Sequence, residues 1–305
     1  MRILIRGLVA CLLLAAPTAC GSTTDRSGIV VTTNILGDLT RAVVGDAADV
    51  TVLMAPDTDP HSFAISAKQA AELERAGLVV YNGLGLEEGV ARNVAAARSA
   101  GVPALAVADH IDPISYVADE SAGRADPHFW TDPHRVHRAV EVISAHVLDH
   151  VRGIDADTVR ANTDRYLAEI DQLDRWMAEQ FAVIPPERRQ LVTNHHVFGY
   201  LAQRFGFQVI GAVIPSGTTL ASPSPSDLGA LAGAIRTAGV GAIFADSSQP
   251  DRLARVLADQ VGVHIQVIAL HSESLTRPGS GAGSYLDMMR TNTAAIVRGL
   301  TAPPA

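Results

Sequence analysis

One stretch constrains the fold more than any other. From about Asp157 to Ile184 the residues Val159, Thr163, Tyr166, Ile170, Leu173, Met177 and Phe181 fall at steps of three and four, and the pattern stops at Pro185-Pro186. That spacing puts every member on one face of an α-helix, ended where proline removes the amide donor and fixes φ. At 1.5 Å per residue the helix is roughly 40 Å long, more than a small lobe needs for its own core. It reads as a brace between two halves that restricts hinge closure; the plainer reading is a long helix of an ordinary core.

Both flanks of this helix alternate short β-branched runs with helical spacing. Before it come strands at Ile29–Thr33, Val50–Met54, Leu78–Asn82 and Val102–Val107. Between them lie helices at Ile35–Val44, from Ser66 through Ala76, and at Leu86–Ser99, and a further helix opens at Pro133 and runs to about Val151. After it come strands at Gln190–Thr193, Gln208–Ala212, Ala242–Ala245 and His264–Ala269, with helices at Phe198–Phe205, Ser226–Ala238, Asp251–Val261 and Tyr285–Leu300. Such alternation predicts α/β architecture, with two parallel-sheet lobes joined by the long helix. The 305 residues suffice for two such cores. The expected division is 29–155 for the first lobe, 156–184 for the linking helix and 185–303 for the second. The stretch from Pro215 to Pro225, rich in Ser, Thr and Pro, reads as a mobile loop.

The N-terminus is different in kind. Arg2 and Arg6 precede an almost wholly apolar run from Gly7 to Ala16, followed by Pro17-Thr18-Ala19-Cys20. A basic start and a short apolar stretch ending in small residues form an export signal, here 1–20, too short to span a membrane. Cys20 resembles the acylated cysteine of a bacterial lipobox, although Pro17 stands where leucine is usual and ordinary cleavage is the alternative. Residues 21–28 then form a tether. Cys11 is lost with the signal, so the mature chain has no intramolecular disulfide. A formal charge of −8 without any basic run argues against nucleic acid.

Histidines carry the functional pattern. Asp59-Pro60-His61 and Asp126-Pro127-His128 repeat one tripeptide, each placing an imidazole behind a proline whose fixed backbone leaves little freedom to lose on binding. His61 follows a strand, and ligands of parallel α/β lobes gather at the carboxyl ends of strands. His195-His196 follows the strand at Gln190–Thr193, and His271-Ser272-Glu273 follows the last strand. Taken alone, His271 and Glu273 read as a solvated loop pair. On the helix opening at Pro133, His134 pairs with His137 and His146 with His150 at one-turn spacing. Neither pair has a third donor nearby in sequence, so both read as solvated or packing histidines.

Five motifs in register resemble the metal-binding receptors of bacterial ABC importers for zinc and manganese, the group with a rigid helix between two lobes. They are Asp59-Pro60-His61-Ser62-Phe63, the run Asp126 to Pro133, Asn194-His195-His196-Val197-Phe198-Gly199-Tyr200, Ile243-Phe244-Ala245-Asp246-Ser247-Ser248, and Ser272-Glu273-Ser274-Leu275 followed by Gly283 to Met289. The resemblance spans about Ile29 to Leu300. It implies a metal site in the cleft with His61, His128, His195 and Glu273 as ligands. It also implies a permease partner, with a metallochaperone as a further candidate and a membrane contact through Cys20 if that residue is acylated. The expected location is periplasmic, or anchored to the outer face of the cytoplasmic membrane. This chain departs from the family at three places: His196 where aspartate is common, Glu273 where aspartate is usual, and Ser222 where glutamate is frequent. Asp246 matches an acidic family position that is not a ligand. A histidine-rich loop found in some zinc receptors has no counterpart in Ile114–Ala125.

Three imidazoles and one carboxylate suit tetrahedral Zn2+ as the transported ion, whereas Mn2+ favours more oxygen. The main rival is a zinc hydrolase, which needs an open coordination position and a general base. Neither a His-Glu-x-x-His helix nor a Gly-x-Ser-x-Gly elbow is present, so no enzymatic activity is expected. A host-binding surface lipoprotein is a further alternative. Ion release is expected to rest on local motion around Glu273 and Pro215–Pro225.

Overall fold

A computed structural model describes residues 27–262 and 265–302. The expected signal and most of the tether, with Cys11 and Cys20, lie outside the described residues, as does His264 at the expected start of the last strand.

The first sheet is built from β1 (Ser27–Val31), β2 (Val50–Val52), β3 (Ala76–Tyr81) and β4 (Ala104–Ala106), in the order β2-β1-β3-β4. The second is built from β5 (Gln190–Thr193), β6 (Gln208–Ala212), β7 (Ala242–Asp246) and β8 (Gln266–Leu270), in the order β6-β5-β7-β8. All pairings are parallel; Ile29 sits opposite Leu78 and Val31 opposite Val80. Period-two alternation decides which core each residue joins. Val30 and Val79 face outward onto α2 (Ala67–Arg75) and α3 (Ala91–Ser99), with Leu73 and Val94. Ile29, Val31, Leu78 and Val80 face inward. In the second sheet Val192, Ile243 and Ala245 pack outward against Leu231 and Ile235 of α7 (Pro225–Ala238) and Leu257 of α8 (Arg252–Val261).

The inward faces share one core. It contains Leu36 and Leu39 of α1 (Asn34–Val44), Val136 and Ile143 of α4 (Pro133–His150), and Tyr200 of α6 (Gly199–Phe205). Ile296 of α9 (Tyr285–Thr301) completes it. Through its middle runs α5 (Ala156–Ala182), and its buried residues are the seven of the periodic stripe, Val159 to Phe181. The apolar cluster therefore continues without a break from β1 to β8, and the brace reading prevails over a helix serving one lobe.

Several boundaries differ from expectation for identifiable reasons. The helix expected from Leu86 begins only at Ala91, because Glu87 turns inward: its Oε1 accepts from Asn82 N at 2.7 Å and from Thr32 Oγ1 at 2.6 Å, its Oε2 from Gly83 N at 3.3 Å. The strand expected to reach Val107 ends at Ala106, and one turn of 3-10 helix follows through His110. Pro225, rather than Ser226, opens α7, capped by Ser224 with Asp227 in a reciprocal pair.

Candidate metal centre

All four residues singled out for ligation sit on loops that leave the sheets at their carboxyl ends. His61 follows β2, His195 follows β5, Glu273 follows β8, and His128 directly precedes the turn into α4. Each is 3% exposed or less, and one ligand atom from each lies within 4.8 Å of the others. His61 Nε2 is 3.2 Å from His128 Nε2, and His195 Nε2 is 3.0 Å from Glu273 Oε1. His128 Nε2 is 3.6 Å from Glu273 Oε1, and His61 Nε2 is 4.0 Å from Oε2.

The repeated Asp-Pro-His has a local cause beyond proline stiffness. In each copy the aspartate accepts from the histidine amide two residues on: Asp59 Oδ1 from His61 N at 3.0 Å, Asp126 Oδ1 from His128 N at 2.9 Å. This Asx turn fixes the direction of the imidazole. Asp126 Oδ1 also lies 2.8 Å from His128 Nδ1, so Nδ1 carries the proton and Nε2 presents its lone pair to the cluster. Asp59 Oδ2 instead reaches the second lobe, accepting from Thr219 Oγ1 at 2.6 Å and Gln249 Nε2 at 3.0 Å. A Cβ at Gly199 would lie 2.8 Å from Asp126 Oδ2, which explains a side-chain-free residue there. The next residue, Tyr200, donates to the Asp126 carbonyl at 2.7 Å.

The Glu273 loop is held from the first lobe. Trp130 Nε1 donates to Ser272 O at 2.8 Å, Asn34 Nδ2 to Ser274 Oγ at 2.7 Å, and Leu275 N to Asn34 Oδ1 at 2.9 Å. Asp246 accepts from Ser272 Oγ and from Ser248 N. The stretch read as mobile is pinned in its first half. Ser216 O accepts from His196 N at 3.0 Å, Gly217 N donates to Ser121 Oγ at 2.8 Å, and Tyr116 donates to Gly217 O at 3.2 Å.

Other candidates lie elsewhere. His196 Nε2 is 2.6 Å from Asp119 Oδ2, bridging the lobes beside the cluster rather than joining it. His271 faces Ser247, Ser222 is exposed, His134 is exposed, and His137 lies near Glu141 and Asp171.

Burial sets the charge state. It lowers His61 to about 2, with the neighbouring His128 and His195 adding to the effect, and it lowers His128 and His195 as well. The three imidazoles are therefore neutral donors. Burial, followed by the charges of Asp246, Asp59 and Asp126, pushes Glu273 well above the usual carboxylate range, and burial raises Asp126 to about 7. Neither oxygen of Glu273 makes a hydrogen bond, and neither does either ring nitrogen of His195. A buried acceptor left without a partner costs about 1–3 kcal/mol, more if charged. A divalent cation among these atoms would satisfy the Glu273 carboxylate and one ring nitrogen of His195.

Two parallel α/β lobes around a shared core, with a closed set of donors at the strand ends, define the class of two-lobed solute-binding receptors. Within that class the chain belongs to the family described as zinc-uptake complex component A, periplasmic, whose model matches residues 29–299. It is 30% identical over 284 residues to the zinc-binding protein TroA of Treponema pallidum, covering 90% of each chain. To the manganese-binding lipoprotein MntA of Halalkalibacterium halodurans it is 28% identical, covering 92% of this chain and 91% of that one. The solved periplasmic zinc-binding protein TroA superposes with a TM-score of 0.84 at 27% identity, covering 91% of this chain and all of that one. Family members are metal-binding receptors of ABC importers, not enzymes; they act outside the cytoplasm and their partner is an ABC permease.

Proposed function

We propose that this protein captures Zn2+ outside the cytoplasmic membrane through His61, His128, His195 and Glu273 and delivers it to its permease. One observation carries the reading: a fully buried carboxylate with no hydrogen-bond donor faces three neutral imidazoles. The spacing supports a tetrahedral ion, because Zn–N bonds of about 2.0–2.1 Å place neighbouring ligand atoms about 3.3 Å apart. His61 and His128 are at 3.2 Å and His195 and Glu273 at 3.0 Å. Both oxygens of Glu273 face the cluster, and this favours Mn2+ as the second reading, since two-oxygen ligation raises the coordination number toward what that ion prefers.

The division into lobes at 29–155 and 185–303 around 156–184, the signal over 1–20 and the tether over 21–28 belong to the same proposal. So do a lipid anchor on Cys20 and a metallochaperone as donor of the ion. Calorimetric competition on metal-stripped protein tests the choice of ion. Zn2+ is expected to displace bound Mn2+ stoichiometrically at equal concentrations; Mn2+ holding its place against Zn2+ contradicts the zinc assignment.

A further inference from the structure

Away from the cleft, His110, His146 and His150 come together on the first lobe. The ring of His146 lies 5.8 Å from that of His110 and 5.9 Å from that of His150, centroid to centroid. His146 and His150 share a face of α4 at one-turn spacing. His110 closes the 3-10 turn after β4, and so supplies from a distant part of the chain the third donor that the neighbouring sequence lacks. Between Pro133, close to His128, and His146 the helix rises about 20 Å, so the group is separate from the cleft. His110 and His150 are exposed and His146 is half-buried.

We propose that these three histidines form a second, solvent-facing site for a borderline transition-metal ion, with Zn2+ and Cu2+ as fitting occupants. His146 is the central donor. Its Nδ1 lies 2.9 Å from the Val142 carbonyl oxygen, which can only accept, so Nδ1 holds the proton and the Nε2 lone pair is free for a metal. The rings in the cleft are 5.2–5.3 Å apart. His146 lies about half an ångström farther from each of its two neighbours than this, and the three ligand atoms do not lie within 4.8 Å of one another, so closing the set requires both exposed side chains to change rotamer. Neutral imidazole suits zinc, nickel and copper, with copper favoured by intrinsic affinity. The site is weaker than the cleft, because exposed rings lose rotamer freedom on binding and water fills the remaining positions.

Counting ions by equilibrium dialysis of the metal-stripped full chain against Zn2+ tests the proposal. The wild type is expected to bind a second, weaker ion that His146→Ala removes. The exposed substitutions His110→Asn and His150→Asn are each expected to weaken it by roughly tenfold or more, as loss of a contact to a metal site does. With Cu2+ the second site is expected to show nitrogen hyperfine structure in electron paramagnetic resonance, lost in His146→Ala. A wild type whose only bound ion survives His146→Ala, or unchanged affinity at this site in any of the three variants, overturns it. A single ion lost with His146→Ala would leave this site standing and remove the cleft reading, so the two fail separately.

Discussion

The two aspartates that precede the prolines show how little of a candidate site its proposed ligands alone specify. Asp59 and Asp126 each clamp the amide of the histidine they introduce, and Asp126 also sets the tautomer of His128. Asp126→Ala is expected to weaken Zn2+ binding roughly 10- to 100-fold with the fold intact, measured by calorimetry, because the imidazole loses its orienting partner. Glu273 gives the sharpest pH signature. Its raised value in the folded protein means that its contribution to stability is complete below the ordinary carboxyl value of 4.5 and is lost as pH rises through the folded value. Metal-stripped Glu273→Gln should therefore melt increasingly above the wild type as pH goes from about 5 to about 8; a constant difference contradicts this. The histidines run in the opposite sense. Their lowered values mean that stability is present above 6.5 and lost as pH falls toward about 2 for His61, where the unfolded chain takes up protons that the core refuses. Above about 7, where Asp126 is ionised, Glu273 is the group of the cluster left with a proton to release to the metal. The logarithm of the Zn2+ association constant should then rise with pH with a slope near one; a slope near three would mean charged imidazoles in the free protein. In the sequence the repeated Asp-Pro-His is visible, but the use of its aspartates is not. Proline stiffness explains the motif only in part, and the amide-to-carboxylate bonds need the folded turn to be seen. The role of Gly199 is equally hidden, since the oxygen it makes room for lies on a segment more than seventy residues earlier.

At the scale of elements, the ligand loops divide by how they are tied down. The loop carrying Glu273 bonds to Asn34, Thr58 and Trp130 of the first lobe, and Asp57 N donates to Leu275 O at 3.0 Å. It is thus more strongly held than the expectation of a moving Glu273 loop allows. The second half of the 215–225 stretch has fewer anchors; Thr219 bonds to Asp59, and Leu220 is 54% exposed. Release is accordingly expected to begin at 218–225. Hydrogen exchange should show those amides slowed by Zn2+ and the amide of Leu275 slow with or without it. Asn34→Ala strips partners from Ser274 and Leu275 and is expected to cost roughly 1–3 kcal/mol and to speed metal dissociation, read by thermal melting and stopped-flow chelation. Elements with strong periodicity were legible in advance: the α5 stripe matches residue for residue, and strands of three to six residues fall where β-branched runs lie. What failed was the boundary at Leu86, where a buried carboxylate diverted the chain, and the mobility of Ser216 and Gly217, where composition suggested freedom and bonds from Ser121 and Tyr116 removed it.

At the scale of the whole molecule the lobes share one apolar core through α5, and Tyr285 of α9 extends the link, its amide donating to Asp38 Oδ2 at 2.8 Å and its hydroxyl to the Trp130 carbonyl at 3.0 Å. A hinge closure would have to break that core, whose close packing resists continuous deformation. Small-angle scattering is therefore expected to give the same radius of gyration with and without Zn2+. The two-lobe plan was readable from the alternation of elements, whereas the union of their cores was not, because periodicity tells which face is apolar and not which partner covers it. The most direct test is anomalous diffraction at the zinc edge from crystals grown with one equivalent of Zn2+. The expected result is one dominant peak within bonding distance of His61, His128, His195 and Glu273; a dominant peak elsewhere, with those four side chains unbound, would contradict the central claim.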